Sequence, residues 1–262
     1  MKKHGGFVLE LNKELSSDKA DDFHAQSLED SITANKEIIL SERLTAIAAA
    51  VPHSKRVFDI GSDHGYIGAY LLENGIAETL IATDIRESPA NRTRNFLSER
   101  GLSARSQVFC TDGVRGLTLE ADDTVLICGM GGYAIIDILA DILKTQDRCI
   151  LKHVSFLLQP QKSLVECRLF LYQNGFSLHD ETLCFDRGKW YVIFHVNYSD
   201  ISEQIPSLTE LFLGPCLMKK KQCREYLLYQ QQVLQKIILG RPEYINVLKN
   251  LEKMLEVNDA YL

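Results

Sequence analysis

No stretch of the chain reaches the roughly 18 consecutive apolar residues that a membrane-spanning helix needs, so its 45% hydrophobic content is expected to build a core. Nor do any two cysteines stand at C-x-x-C spacing. The seven (Cys110, Cys128, Cys149, Cys167, Cys184, Cys216 and Cys223) are scattered and odd in number, which speaks against a disulfide framework and against a structural zinc site. A reduced, cytoplasmic protein is expected. An apolar leader is missing too, because Glu10 and Glu14 interrupt MKKHGGFVLELNKEL before a signal-peptide core can form. Positive charge is in deficit, 29 Lys and Arg against 35 Asp and Glu for a net −6. That balance gives no general support to nucleic-acid binding, though it leaves room for a local basic face. Neither internal repeats nor low-complexity tracts occur.

The 262 residues suffice for one substantial core plus an appendage. Residues 1–39 form a polar N-terminal extension, with Ser16, Ser17, Asp18, Asp21 and Asp22 suggesting weak order. From Leu40 the run LSERLTAIAAAV reads as an amphipathic helix, Ser41 its N-cap and Pro52 just beyond its end. Between there and residue 200, the strand-like runs RVFDI, TLIATDI, SQVFC, DTVLICG and VSFLLQP alternate with helical stretches. Short apolar strands alternating with helices imply βαβ crossovers and a parallel, doubly wound sheet covered on both faces. SLHDETLCF and KWYVIFHV, separated by Asp186-Arg187-Gly188, read instead as a hairpin, which makes the last strand antiparallel. In residues 201–262, Leu227, Leu234 and Ile238, then Leu248, Leu251 and Leu255, fall at helical spacing either side of Gly240-Arg241-Pro242. A C-terminal helical hairpin is expected there.

In an open α/β sheet the ligand sits beyond the carboxyl ends of the strands, near the switch point. Asp59-Ile60-Gly61-Ser62-Asp63-His64-Gly65 occupies that place after the first strand. Asp63 stands where a dinucleotide fingerprint has its second glycine, and a carboxylate there repels a diphosphate. A ligand that carries positive charge and no phosphate fits better, and S-adenosylmethionine has that character. Asp59 can orient its methionine end, with Gly61, Ser62, His64 and Gly65 shaping the turn. Asp84, 19 residues past Gly65 and followed by Ile85, suits the ribose hydroxyls. Asp112-Gly113 is placed to meet the adenine, and Cys128 and Gly129 border the cofactor from the fourth strand. An aspartate after a strand is often only a helix N-cap; that reading explains any one of these positions but not the set.

LSERL, DIGSDHGY, CGMGG (Cys128 to Gly132), LLQP (Leu157 to Pro160), the D-x-G hairpin and LGPCLMK occur here in one order. Together they resemble the bacterial tRNA (adenine-22-N1)-methyltransferase family, the TrmK type, over Leu40 to about Leu262. The resemblance implies a class I methyltransferase domain with a Rossmann-like sheet at 40–200 and a helical-hairpin, coiled-coil-like tail at 201–262. It also implies methyl transfer from S-adenosylmethionine to N1 of an adenine in the D-arm region of tRNA. The long N-terminal extension sets this chain apart.

Adenine N1 carries an in-plane lone pair, so alignment rather than deprotonation should dominate the reaction. Because N1 also serves Watson–Crick pairing, the base must be unpaired or flipped. The glycines of CGMGG leave room for a flat base but supply no acid. The carboxylate that meets the developing charge is assigned to Asp63, with holding the turn or the cofactor as its alternative role of equal weight. Met130, Gly131, Gly132 and Tyr133 are placed against the base. Arg43 and the Lys219, Lys220, Lys221 and Arg224 cluster are candidate phosphate contacts, with Arg86, Arg92 and Arg94 as further ones. Monomeric action on tRNA without a structural metal is the expectation. A methyltransferase acting on another RNA site, a protein or a small molecule is the alternative.

Overall fold

The computed structural model describes residues 37–201, 204–220 and 223–259. The polar extension thus lies almost wholly outside the described residues, as does Lys221. Ile39–Leu262 form one compact unit.

The strands are β1 (Ser54–Ile60), β2 (Ala77–Asp84), β3 (Ser106–Cys110), β4 (Thr124–Met130), β5 (Ser155–Pro160), β6 (Phe176–Asp186) and β7 (Lys189–Tyr198). They make a single sheet in the order β3-β2-β1-β4-β5-β7-β6. β1 to β5 pair in parallel, and β7 runs antiparallel to both β5 and β6. The antiparallel last strand is what the hairpin reading anticipated, and it inserts between β5 and the edge strand β6. Val57, Phe58 and Ile60 of β1 and Val125, Leu126 and Ile127 of β4 are almost wholly buried, as strands covered on both faces must be. The β6–β7 loop is Arg187-Gly188, both at positive φ (50° and 77°), the two-residue turn whose twist matches paired strands.

The helices are α1 (Glu42–Ala50), α2 (Tyr66–Glu73), α3 (Glu87–Glu99), α4 (Gly132–Thr145), α5 (Arg148–Leu151), α6 (Leu164–Gln173), α7 (Leu208–Leu213), α8 (Arg224–Ile237) and α9 (Ile245–Asp259). Ser41 caps α1 through its hydroxyl, which accepts the Leu44 N–H at 3.4 Å. Ile135, Leu139 and Ile142 form the buried stripe of α4. In the tail, Leu227, Leu234, Leu248, Leu251 and Leu255 are buried at the positions the spacing marked, and Pro242 opens the turn between α8 and α9. Ile238 falls one residue beyond α8.

The tail shares its core with the sheet: Leu211, Tyr226, Leu234 and Leu251 belong to the same apolar cluster as Phe156, Leu171 and Phe194. At its centre is a fully buried ion pair. Arg168 of α6 donates from Nε to Glu181 Oε1 of β6 at 2.7 Å, and from Nη1 to the carbonyls of Leu211 and Phe212 at 2.7 and 3.3 Å. The other Glu181 oxygen accepts the N–H groups of Cys216 and Leu217 at 2.9 and 3.3 Å.

Removing one member leaves a buried charge uncompensated, a cost of about 3–5 kcal/mol. Arg168→Met and Glu181→Leu are each expected to lose about that much in urea unfolding, while the double variant loses far less than the sum. Additive losses would show that the pair is not coupled.

Candidate functional site

The carboxyl ends of β1, β2 and β4 open into a cavity of about 770 Å³, walled by residues that include Gly61, Asp63, Asp84, Ile85, Asp112, Gly113, Cys128, Gly129 and Met130. Its far wall is a face of α4, formed by Ala134, Asp137, Ile138 and Asp141. It lies at the point where strand order reverses between β1 and β4, where open α/β sheets bind ligands.

Four of the five N–H groups of the Gly61–Gly65 turn are spent within the protein. Gly61 and Ser62 both donate N–H to the Thr83 carbonyl, at 2.8 and 3.0 Å, and His64 and Gly65 donate to the Ser62 carbonyl at 2.7 and 3.1 Å. Those groups cannot cradle a pyrophosphate. Gly61 has φ of 76°, where any side chain is strained, and a Cβ there would also stand 2.6 Å from Met130 Cε, which would have to move. Asp59 lies behind it, 6% exposed, with Oδ2 lacking any hydrogen-bond partner among the described residues. Ser62 Oγ and Thr83 Oγ1 are orphaned in the same way. Burial pushes the Asp59 carboxyl up to about 6; the Ser62 hydroxyl is near enough to oppose this weakly, although its geometry falls short of a hydrogen bond. Asp123, just as buried at the start of β4, has both oxygens satisfied by Arg56 at 2.9 and 2.7 Å and a further bond from the Glu120 N–H. By contrast, Asp59 keeps a buried oxygen that no group among the described residues satisfies.

Asp84 is also buried, its Oδ1 accepting the Arg86 N–H at 2.9 Å. Ile85, 66% exposed, gives the cavity an apolar edge opposite Ile138. Asp112 is half-exposed, 3.8 Å from Arg115.

Asp63 sits at the lip in the left-handed region, φ 52°. Arg92 of α3 donates to its Oδ1 at 2.5 Å, and His64 Nε2 lies 3.4 Å from Oδ2. His64 in turn stacks on Tyr66. Sequence reading placed Arg92 among candidate RNA contacts; here it holds Asp63.

The Cys128–Gly132 turn shapes the other side. Pairing of β4 with β5 slips between Cys128 and Met130, and Gly129 takes φ of 79°, a bulge of the kind that re-aims strand ends beside active sites. Gly132 opens α4 against the carbonyls of Ser163 and Lys162, which a Cβ would meet at 2.5 and 2.7 Å. Burial drives the Cys128 thiol up to about 12, so it is no nucleophile. Tyr133 projects 59% exposed from the first turn of α4. Arg43 reaches this turn from α1 and donates to Gln159 Oε1 at 3.0 Å.

Of the tail cluster, Lys219 is exposed, whereas Lys220 is committed to Asp180 Oδ1 at 2.6 Å and the Glu181 carbonyl at 2.7 Å. Arg224 opens α8. Sequence reading missed Gln159, Ile138 and Asp141.

Such a sheet, with a spent glycine turn, an acidic end to each of its first strands and an antiparallel seventh strand, defines an S-adenosylmethionine-dependent methyltransferase. The chain matches the methyltransferase domain family over residues 40–194. It is 30% identical over 191 residues to the tRNA (adenine(22)-N(1))-methyltransferase of Bacillus subtilis, 71% of this chain and 77% of that one. The crystal structure of TrmK from B. subtilis superposes with a TM-score of 0.68 at 26% identity, covering 86% of this chain and 99% of that one. Sp1610 of Streptococcus pneumoniae, solved in complex with S-adenosyl-L-methionine, gives 0.71 at 26%, covering 83% and 100%. The chain belongs to the tRNA (adenine(22)-N(1))-methyltransferase family.

Asp59 carries a pH signature. Its folded value of about 6 exceeds the unfolded 3.8, so the folded state holds the extra proton between them and stability falls as pH rises through that window. Asp59→Asn should therefore gain roughly 1–3 kcal/mol above pH 7, and nothing below pH 4. Urea titrations from pH 4 to 8 that show parallel profiles would refute the penalty.

Proposed function

We propose that this enzyme methylates N1 of adenine 22 in tRNA, acting as a cytoplasmic monomer without a structural metal. The observation that carries the reading is the pairing of a buried carboxylate that has an unpartnered oxygen with a glycine turn whose Gly61, Ser62, His64 and Gly65 N–H groups are already bonded. The name of the B. subtilis relative supplies the base and its position.

S-adenosylmethionine, when bound, supplies an electrophilic methyl group on a sulfonium. Asp59 and the Gly61–Gly65 turn would hold its methionine end, Asp84 its ribose, and Ile85 with Ile138 the faces of its adenine, with Asp112 and Gly113 at the edge. Cys128 and Gly129 would border it on the substrate side. Beside the cofactor, the Gly129–Gly132 backbone, bare of side chains except at Met130, would leave room for a flat base, with the exposed Tyr133 next to it. The target N1 needs no base to deprotonate it, so the protein's contribution is to hold two reactants in line.

Asp63 is the carboxylate we place near the charge that N1 acquires. Arg92 fixes its orientation and also offsets part of its field. Losing one preorganised contact typically costs about 10²–10³ in rate, and the Arg92 pairing puts the expected loss at the low end, about 10².

The test uses purified protein, labelled cofactor and unmodified tRNA, with the methylated nucleoside identified by mass spectrometry. N1-methyladenosine at position 22 is expected; methylation elsewhere, or of no RNA, would overturn the proposal. With the same substrate, Asp63→Asn should bind cofactor nearly normally and lose single-turnover rate at saturation. A normal rate there would assign Asp63 to holding the turn. Charge reversal of Lys219 and Arg224 should raise the KM for tRNA and make its salt dependence shallower than the parent's.

A further inference from the structure

Arg43 differs from the other arginines around the site. Arg56, Arg92, Arg115 and Arg168 each pair with a carboxylate. Arg43 is partly buried, yet among the described residues only neutral groups hold it. Gln159 accepts its Nη1–H at 3.0 Å, and its guanidinium carbon stands 5.7 Å over the Tyr191 ring. Gln159 is fully buried, and its own amide donates to the Pro160 carbonyl at 3.1 Å, which turns Oε1 toward Arg43. The result is a fixed, unneutralised cation, with Nη1 3.5 Å from where a Cβ on Gly129 would stand.

Tyr191 reaches it because of an overhang. The last pair between β5 and β7 is Leu158 with Phe194, but β6 and β7 remain paired from Thr182–Ile193 out to Asp186–Lys189. The hairpin therefore runs past the carboxyl end of β5 and stands as a wall beside the base slot. Arg43 lies between that wall and the Cys128–Gly132 turn. It does not line the cofactor cavity.

A partly desolvated guanidinium without a counter-ion calls for an anion in the functional complex. The base itself is excluded, since methylation leaves its ring positive and a fixed cation against it would oppose the reaction. The remaining anion on a flipped nucleotide is its phosphate. Building on the RNA substrate proposed above, we propose that Arg43, positioned by Gln159 and Tyr191 beneath the hairpin overhang, clamps the backbone phosphate of the target nucleotide and so holds the everted base in the slot.

The test compares the parent with Arg43→Ala, Arg43→Lys and Gln159→Met, using tRNA with a natural linkage or a neutral methylphosphonate on the 5′ side of the target adenosine. Arg43→Ala should bind S-adenosylhomocysteine within about twofold of the parent and lose roughly 10²-fold in kcat/KM for tRNA. Its tRNA-binding salt slope should fall by about 0.7–0.9, one phosphate contact. The methylphosphonate should impair the parent and leave Arg43→Ala no worse, because the two changes remove the same interaction. Arg43→Lys should recover part of the loss, and Gln159→Met should lower kcat while keeping the salt slope. Weakened S-adenosylhomocysteine binding in Arg43→Ala would give the residue to the cofactor, and an unchanged salt slope or independent losses would remove it from the phosphate. If the parent makes no N1-methyladenosine in tRNA, the substrate reading itself fails.

Discussion

Arg168 and Glu181 form the contact on which the rest of the molecule leans. Neither end of that pair is simply a charge partner for the other. Glu181 spends its second oxygen on the backbone at Cys216 and Leu217, and Arg168 spends Nη1 on the carbonyls that close α7. Those carbonyls are the ones a helix end leaves without partners. The pair thus stitches residues 211–217 onto α6 and β6, and a tail that could have been a tethered appendage becomes part of one core. β6 carries Glu181 and also the outer half of the overhanging hairpin. Trp190 of that hairpin packs edge-on against Tyr226 of α8. The wall beside the base slot is therefore braced from behind by helices that the buried ion pair holds in place.

The cavity follows the opposite logic. Where Asp123 is given every bond a buried carboxylate needs, Asp59, Ser62 and Thr83 are left short. Burial of unsatisfied polar atoms is costly, and a fold that tolerates three of them around one turn keeps them for something else. The spent N–H groups of the same turn and the acidic strand ends then limit what that ligand can be.

Most of this architecture is legible in the bare chain because it is local. β1 and β4 read as short apolar strands, the tail as leucines at helical spacing, and Asp186-Arg187-Gly188 as a hairpin turn. The acidic residues at the ends of β1, β2 and β3 were legible for the same reason, since strand ends fall at countable places. What escaped the sequence reading is long-range. Arg43 and Gln159 lie 116 positions apart and Asp63 and Arg92 lie 29 apart, and no periodicity connects them. Tyr191 reads only as one more aromatic in a strand until the unequal lengths of β5 and β7 bring it over Arg43. The short helices α5 and α7 carried too few turns to show a period.

The carboxyl group behind the glycine turn has one further consequence, in the heat of binding. With an affinity for protons centred at about 6, Asp59 is partly protonated in mildly acidic solution. A cationic ligand seated against it favours the ionised form, so occupancy and proton loss become one event. Calorimetric enthalpies of binding would then differ between buffers in proportion to their ionisation heats, and the slope of that plot would count the fraction of a proton expelled. With the methionine end seated on Asp59 as proposed, the site would act as an exchanger, taking up one cation by giving up another.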